Sequence, residues 1–367
     1  MVSMTFKASW KTFFLLALGL AAFFIYLYLF NVDIPTIIAT AQRVDLSIYS
    51  AAVVFLILDT FFYSLSWYLL LNFLSVKLSV AKSFLYVWYG TFVDIAIPAE
   101  SLSADVTKVY LVTREHNGTS GKVVASLVIQ RLMGMGINIV GLLLGIILLL
   151  MERPISGLVL NLSLFLTGMS TLFLILLIFL CFREKWTLKL IDAVIRFLNY
   201  VSQGRWKLTR VRGKVVKAAK MFHDSIKEFG HAPKILFASF SFGIFSWFLS
   251  VGIAYLVFFS MKEVFLSMNV EFPVPWSVII LTHSIVSAIH GIPLGIPFEA
   301  GLPEITMTTI YVLTGIPFDI SATATILTRI LSVWLRFFIG FAVQQALEIK
   351  AITANNKADK TLFERIS

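Results

Sequence analysis

Long apolar runs constrain the fold of this chain more than any other feature of its sequence. Each run holds about 20 or more mostly uncharged residues, the helical length that crosses a hydrocarbon layer of roughly 30 Å. Across the chain 59% of residues are hydrophobic and 14% are charged, far from the average soluble protein. We therefore predict an all-α polytopic membrane protein with six full spans, Thr12–Phe30, Ser47–Leu74, Val123–Leu150, Gly157–Leu180, Ile235–Phe259 and Ile320–Leu347.

Two further apolar stretches are interrupted near their middle. Ala81–Leu111 contains a proline and an acid, and Pro275–Leu313 contains several glycines and prolines with another acid. Proline breaks a helix, and broken backbone at membrane depth is tolerated only where protein or water satisfies it. We predict that each stretch is a re-entrant hairpin of two half-helices, shaped by Pro98, Pro293, Gly295, Pro297, Gly301 and Pro303.

Basic residues predict the orientation. The segment 183–234 holds 13 Lys and Arg against four acids, and basic loops face the cytoplasm. Counting spans from it places both termini and the Lys108–Lys122 stretch inside, in a multi-pass plasma-membrane protein. Because Leu188 and Ile191 share one face, the segment is also predicted to form amphipathic helices on an anionic membrane surface. A basic loop packed under the bundle explains the pattern equally well.

The two interrupted stretches carry the same charged motif. Ile97-Pro98-Ala99-Glu100 precedes Arg131, which lies 33 positions after the proline. Ile296-Pro297-Phe298-Glu299 precedes Arg329, 32 positions after its proline. Around these motifs Asp105 aligns with Glu304. Paired broken segments of this kind are the best sequence pointer to a transporter's binding site.

The predicted orientation makes this duplication an inverted repeat. The first hairpin lies between spans that meet at the cytoplasmic face, and the second lies between spans that meet at the opposite face. We predict a single membrane domain over 1–367, with repeat one at 47–150, the basic amphipathic segment at 183–234 and repeat two at 235–347. The remaining two spans are accessory.

These features resemble a known family. The order of spans, the pattern Gly90-x-x-x-Asp94-x-x-x-Pro98-x-Glu100 and the pattern Gly295-Ile296-Pro297-x-Glu299-x-Gly301, each leading to an arginine, resemble the flippase-like transmembrane domain of lysylphosphatidylglycerol synthases of the multiple peptide resistance factor type. The resemblance covers roughly residues 10 to 348 and implies lipid movement between leaflets. Only about 20 residues follow Leu347, so the soluble synthase domain and its activity are not expected.

Charged residues within the apolar stretches are the candidate substrate site. Arg131 and Arg329 lie roughly 12 and 14 Å into their spans at 1.5 Å per residue. A charge at this depth costs about 2.5–3.5 kcal/mol on insertion scales and needs a partner or a wet cavity. Guanidinium binds phosphate as well as carboxylate. The candidate substrate-binding residues are Glu100, Arg131, Glu299, Arg329, Arg336, Asp59, Asp94, Asp105 and Glu304.

The charged residues also admit structural interpretations. Glu100 with Arg131, and likewise Glu299 with Arg329, fit buried ion pairs that only fix the hairpins. Asp59 fits a proton relay or a hydrogen bond to a neighbouring helix. Arg336 follows Arg329 by two turns and is expected on the same helix face.

The sequence as a whole predicts a flippase or transporter of a phospholipid or lipid-linked anion. Cys181 is the single cysteine and no Cys/His cluster has metal-ligand spacing, so no cofactor or metal is expected. No paired carboxylates or nucleophile–base constellation supports catalysis, so no enzyme activity is expected. Nucleic acid is not an expected partner, and the sequence leaves oligomerisation open. The alternatives are an integral-membrane transferase acting on a lipid carrier and a transporter of a soluble anion.

Overall fold

Helices form all the regular structure in the part of the chain that the computed structural model describes, residues 34–97, 102–152, 154–201, 208–290 and 301–348. The predicted span Thr12–Phe30 and the residues Pro98, Glu100, Pro293, Gly295, Pro297 and Glu299 lie outside these ranges. In chain order the helices are α1 (Ile34–Ala41), α2 (Leu46–Phe73), α3 (Val80–Ala96), α4 (Leu102–Glu115), α5 (Ser120–Glu152), α6 (Gly157–Phe182), α7 (Glu184–Val201), α8 (Leu208–Gly230), α9 (Pro233–Ser260), α10 (Lys262–Ser267), α11 (Trp276–His290), α12 (Leu302–Leu313) and α13 (Phe318–Glu348).

Five of these helices, α2, α5, α6, α9 and α13, are long and apolar enough to cross a membrane. They coincide, within a few residues at each end, with the predicted spans that fall in the described ranges. The chain is therefore an all-α polytopic membrane protein, as predicted. One feature of α13 was not predicted: a six-residue π-helical turn at Ile330–Leu335.

Short polar side chains and special backbone fix where several helices begin. Asp45 accepts a hydrogen bond from the backbone N–H of Ser47 at 2.8 Å, which caps α2. Gly301 precedes α12 with φ of 101°, a value that strains any residue with a side chain. Its N–H donates to Glu304 Oε2 at 2.7 Å, so the first turn of α12 is held by its own acid.

The antiparallel pair α2 and α9 forms the centre of the bundle. The N–H of Asp45 at the start of α2 donates to the carbonyl of Ser260 at the end of α9 at 2.8 Å. Each helix has 28 residues, and the fourteenth residues, Asp59 and Ser246, share a hydrogen bond of 2.5 Å. At 1.5 Å per residue this contact lies about 20 Å from either helix end. The two helices therefore meet at mid-depth.

Shorter helices occupy the two interrupted stretches. α3, α4, α11 and α12 have 17, 14, 15 and 12 residues, fewer than the about 20 that cross a bilayer. α3 packs on α4, and α11 packs on α12. Apart from the six-residue α10, the order long, short, short, long therefore occurs twice. The re-entrant geometry and the repeat boundaries stay predictions, because the junctions 98–101 and 291–300 are outside the described residues.

Glycines allow α5 to pack closely on α11, and α13 to pack closely on α3. A Cβ added to Gly145 of α5 would lie 2.8 Å from the Cα of Leu281 in α11. A Cβ added to Gly340 of α13 would lie 2.6 Å from the carbonyl oxygen of Trp88 in α3. Both distances are shorter than an ordinary van der Waals contact. Each helix pair can therefore pack this closely only because the residue is glycine.

The basic segment forms α7 and α8, which behave differently. His223 of α8 is buried, with its ring Nδ1 2.9 Å from the carbonyl oxygen of Cys181 at the end of α6. α7 instead exposes apolar side chains, including Trp186. Arg212 of α8 donates to both carboxylate oxygens of Asp192 in α7 at 2.9 and 3.2 Å, and this guanidinium holds the pKa of Asp192 below its usual value. α8 thus packs against the bundle, whereas α7 leaves apolar side chains exposed.

Candidate functional site

In the part of the chain that the structure describes, three clusters of charged side chains bring together predicted site residues. The α4–α5 triad consists of Asp105, Lys108 and Arg131. The α12–α13 pair consists of Glu304 and Arg329. The central pair consists of Asp59 and Arg336.

The α4–α5 triad divides one carboxylate between two cations. Asp105 Oδ1 lies 2.9 Å from Lys108 Nζ, and Asp105 Oδ2 accepts from Arg131 Nη2 at 3.0 Å. Lys108 is 3% exposed, and its ammonium lies 5.7 and 5.6 Å from the ring centroids of Tyr63 and Trp67. These distances allow cation–π attraction. The Arg131 side chain is 29% exposed. The lysine of the triad is therefore buried, whereas its arginine is accessible.

The α12–α13 pair is more deeply enclosed. Arg329 Nε donates to Glu304 Oε1 at 2.6 Å, and the other carboxylate oxygen accepts the N–H of Gly301. The side chains of Arg329 and Glu304 are only 9% and 4% exposed. Both oxygens of the acid are therefore occupied by groups of the protein itself.

The central pair lies where α2, α9 and α13 meet. Arg336 Nη2 donates to Asp59 Oδ2 at 2.5 Å, and Ser246 donates to Oδ1 at the same distance. The side chains of Arg336 and Asp59 are 25% and 9% exposed. Ionisable groups at mid-depth of a membrane bundle are costly and mark functional positions.

The expectation that Arg329 and Arg336 share one face of α13 is wrong. Their cationic groups bind acids on different helices, α12 and α2. The π-helical turn Ile330–Leu335 lies between them. A π turn adds one residue to the helical turn, which rotates the rest of the helix by about 100° at 3.6 residues per turn.

The remaining predicted site residues belong to the two interrupted stretches. Asp94 of α3 accepts a hydrogen bond from Ser103 of α4 at 2.8 Å, which ties the two half-helices together. Pro303 lies in the first turn of α12. The pairs that Arg131 and Arg329 were expected to make with Glu100 and Glu299 stay predictions, because both acids lie outside the described residues.

Two residues of the clusters were missed from the sequence. Lys108 was assigned to a cytoplasmic basic stretch, whereas the structure buries it in the triad. Its position three residues after Asp105 was the available signal, because such residues are neighbours on a helix. Ser246 gave no signal, since a serine within an apolar span is common and its partner Asp59 is 187 positions away.

The fold and the clusters together define a class: a polytopic helical membrane protein that keeps paired ionisable groups inside its bundle. Residues 14–340 match the family described as the lysylphosphatidylglycerol synthase TM region. The chain belongs to this family, a lipid-related membrane domain.

The chain is also similar to the UPF0104 membrane protein PH1989 of Pyrococcus horikoshii. The two are 18% identical over 337 residues, which cover 90% of this chain and 95% of that protein. No solved structure matches the chain.

Proposed function

We propose that this protein moves a phospholipid, or another lipid-linked anion, between the leaflets of the plasma membrane without changing it chemically. The observation that carries the proposal is the central pair, a cation and an acid held at mid-depth beside the closely packed helices α2 and α9. Ionisable residues there are costly even when paired, and a transport path for a polar cargo is a reason for a bundle to contain them. The lipid-related family of the chain supports a lipid as that cargo.

The ion pairs supply a physical route for a charged headgroup. Each arginine is held by an acid while no headgroup is present, so that no buried charge stays unpaired. An arriving phosphate binds N–H groups that the acid does not occupy, because a guanidinium carries five donors and binds phosphate and carboxylate with similar geometry. Arg131 binds the headgroup first, and Arg336 then receives it at mid-depth on its way to the leaflet nearer Arg329. The acyl chains remain in the surrounding lipid throughout.

The direction of the route depends on the predicted orientation. With both termini and the basic segment in the cytoplasm, Arg131 lies toward the cytoplasmic leaflet and Arg329 toward the outer leaflet. In this proposal the protein carries out no chemical step on the lipid. Its role is to lower the barrier to headgroup crossing.

A reconstitution experiment tests the proposal. The full chain is placed in liposomes with fluorescent phosphatidylglycerol, and outer-leaflet fluorescence is quenched with dithionite. We expect faster loss of inner-leaflet signal than in protein-free liposomes, and a lower rate for Arg131→Met. In this variant Asp105 keeps Lys108 as a partner, so the loss of rate does not come from an unpaired acid.

Three outcomes would contradict the proposal. A rate equal to that of protein-free liposomes would remove the transport function. A change in lipid mass after incubation would indicate a transferase. Passage of inorganic anions without lipid movement would indicate a transporter of a soluble anion.

A further inference from the structure

We propose that the phosphate of the lipid binds at the α4–α5 triad and that Lys108 makes this cluster a phosphate site. The inference rests on the proposed function, which requires an anionic headgroup. The three charges of the triad sum to +1, whereas the α12–α13 pair is neutral. An added anion is therefore attracted to the first cluster and gains nothing comparable at the second.

The hydrogen bonds of the triad leave its arginine available. Lys108 takes one oxygen of Asp105, so that Arg131 contacts this acid through Nη2 alone. Within the described residues the remaining N–H groups of Arg131 make no hydrogen bond. With its side chain 29% exposed, Arg131 can present these groups to phosphate oxygens.

Lys108 acts on this site as a positioning residue. It is buried beneath Tyr63 and Trp67 and cannot reach a headgroup itself. By neutralising half of Asp105, it keeps the acid from cancelling the charge of Arg131. Without Lys108 the cluster would be a neutral acid–arginine pair like that of Glu304 and Arg329.

The duplication supplies a built-in comparison. The offset that aligns Asp105 with Glu304 also aligns Lys108 with Met307. Met307 is buried and apolar. The two halves of the chain thus keep the acid and the arginine but differ by one cation, so we infer one phosphate site rather than two.

The decisive variant is Lys108→Met, which gives the triad the residue type found in its counterpart. Asp105 keeps Arg131 as a partner, so no buried charge is left alone. Binding of dihexanoylphosphatidic acid to the detergent-purified full chain is measured by calorimetry. Removing one of the two positive charges of the triad is expected to weaken binding roughly tenfold or more. Lys77→Met removes the same charge from an exposed turn and is expected to leave binding unchanged.

Lys108→Gln removes the same charge but keeps a hydrogen-bond donor for Asp105, so it keeps the proposal testable if Lys108→Met does not fold. A third variant tests the opposite sign. Asp105→Asn leaves both cations without their acid and is expected to bind dihexanoylphosphatidic acid more tightly than the parent. It should also gain more thermal stability from the probe. A triad with only a structural role predicts the opposite, because the change removes its central partner. Unchanged affinity in Lys108→Met, or weaker binding in Asp105→Asn, would overturn the inference.

Inorganic phosphate separates the source of the anion from the site itself. If it competes with the lipid probe and is carried into liposomes while lipid stays in place, the phosphate site stands and the proposed lipid function fails. If lipid moves in the parent but Lys108→Met moves and binds it equally well, the function stands and the inference fails.

Discussion

Removal of Arg336 is expected to destabilise the protein more than removal of Asp59. Arg336→Met leaves a carboxylate that is only 9% exposed with Ser246 as its hydrogen-bond donor. Breaking a buried ion pair in this way costs about 3–5 kcal/mol. Asp59→Asn leaves an arginine that is 25% exposed, and the new amide oxygen can still accept its hydrogen bond. That variant is expected to cost about 1–3 kcal/mol.

The double variant Asp59→Asn with Arg336→Met leaves no charge at mid-depth. Its cost is expected to fall below the sum of the single costs by about 1–3 kcal/mol. The free energies of unfolding are measured by SDS titration in mixed micelles for all four proteins of the cycle. Lipid translocation in liposomes is expected to stay lost in the double variant, since the guanidinium that receives the headgroup is gone.

Ser246→Ala is the matched control. It removes the other hydrogen bond to Asp59 without removing a charge, and it is expected to cost about 1 kcal/mol with translocation retained. Additive single costs, with an interaction energy below about 0.5 kcal/mol, would refute the central pair as an energetic unit. Recovery of translocation in the double variant would refute the proposed contact between Arg336 and the headgroup.

Three further predictions concern the packing, the hairpin and the topology. Gly145→Ala should lower stability by about 1–3 kcal/mol because its Cβ would lie 2.8 Å from a backbone atom of α11. Gly134→Ala in the same helix meets nothing within 4 Å and should stabilise by about 0.4–1 kcal/mol; equal thermal shifts would contradict this contrast. Gly301→Ala forces a side chain onto a φ of 101° and should cost about 1–3 kcal/mol, with translocation lost while insertion is retained. In a Cys181→Ser background, a cysteine at Lys262, which is exposed, should react with an impermeant maleimide added outside. Labelling only after permeabilisation would reverse the predicted orientation.

The membrane architecture was largely determined by the sequence alone. An apolar run of about 20 residues has few alternatives in lipid, because every backbone N–H and C=O must be paired within the segment. The predicted span at Ile235–Phe259 falls within α9, and that at Gly157–Leu180 falls within α6. The interruptions by proline and glycine likewise indicated which apolar stretches form pairs of short helices instead of one long helix. These features are local, so local patterns were sufficient to predict them.

The partners of the deep charges were decided by the tertiary structure. The sequence offers several acids as possible partners for each arginine, and only the packing of the helices decides which acid it contacts. Asp59 and Arg336 are 277 positions apart, and they meet because α2 and α13 contact each other at mid-depth. The π-helical turn in α13 gave no signal in the sequence, and it overturns the face predicted from a regular helix. Helix formation is set by composition over a few turns, whereas the pairing of charges is set by the rotation and depth of helices fixed by distant contacts.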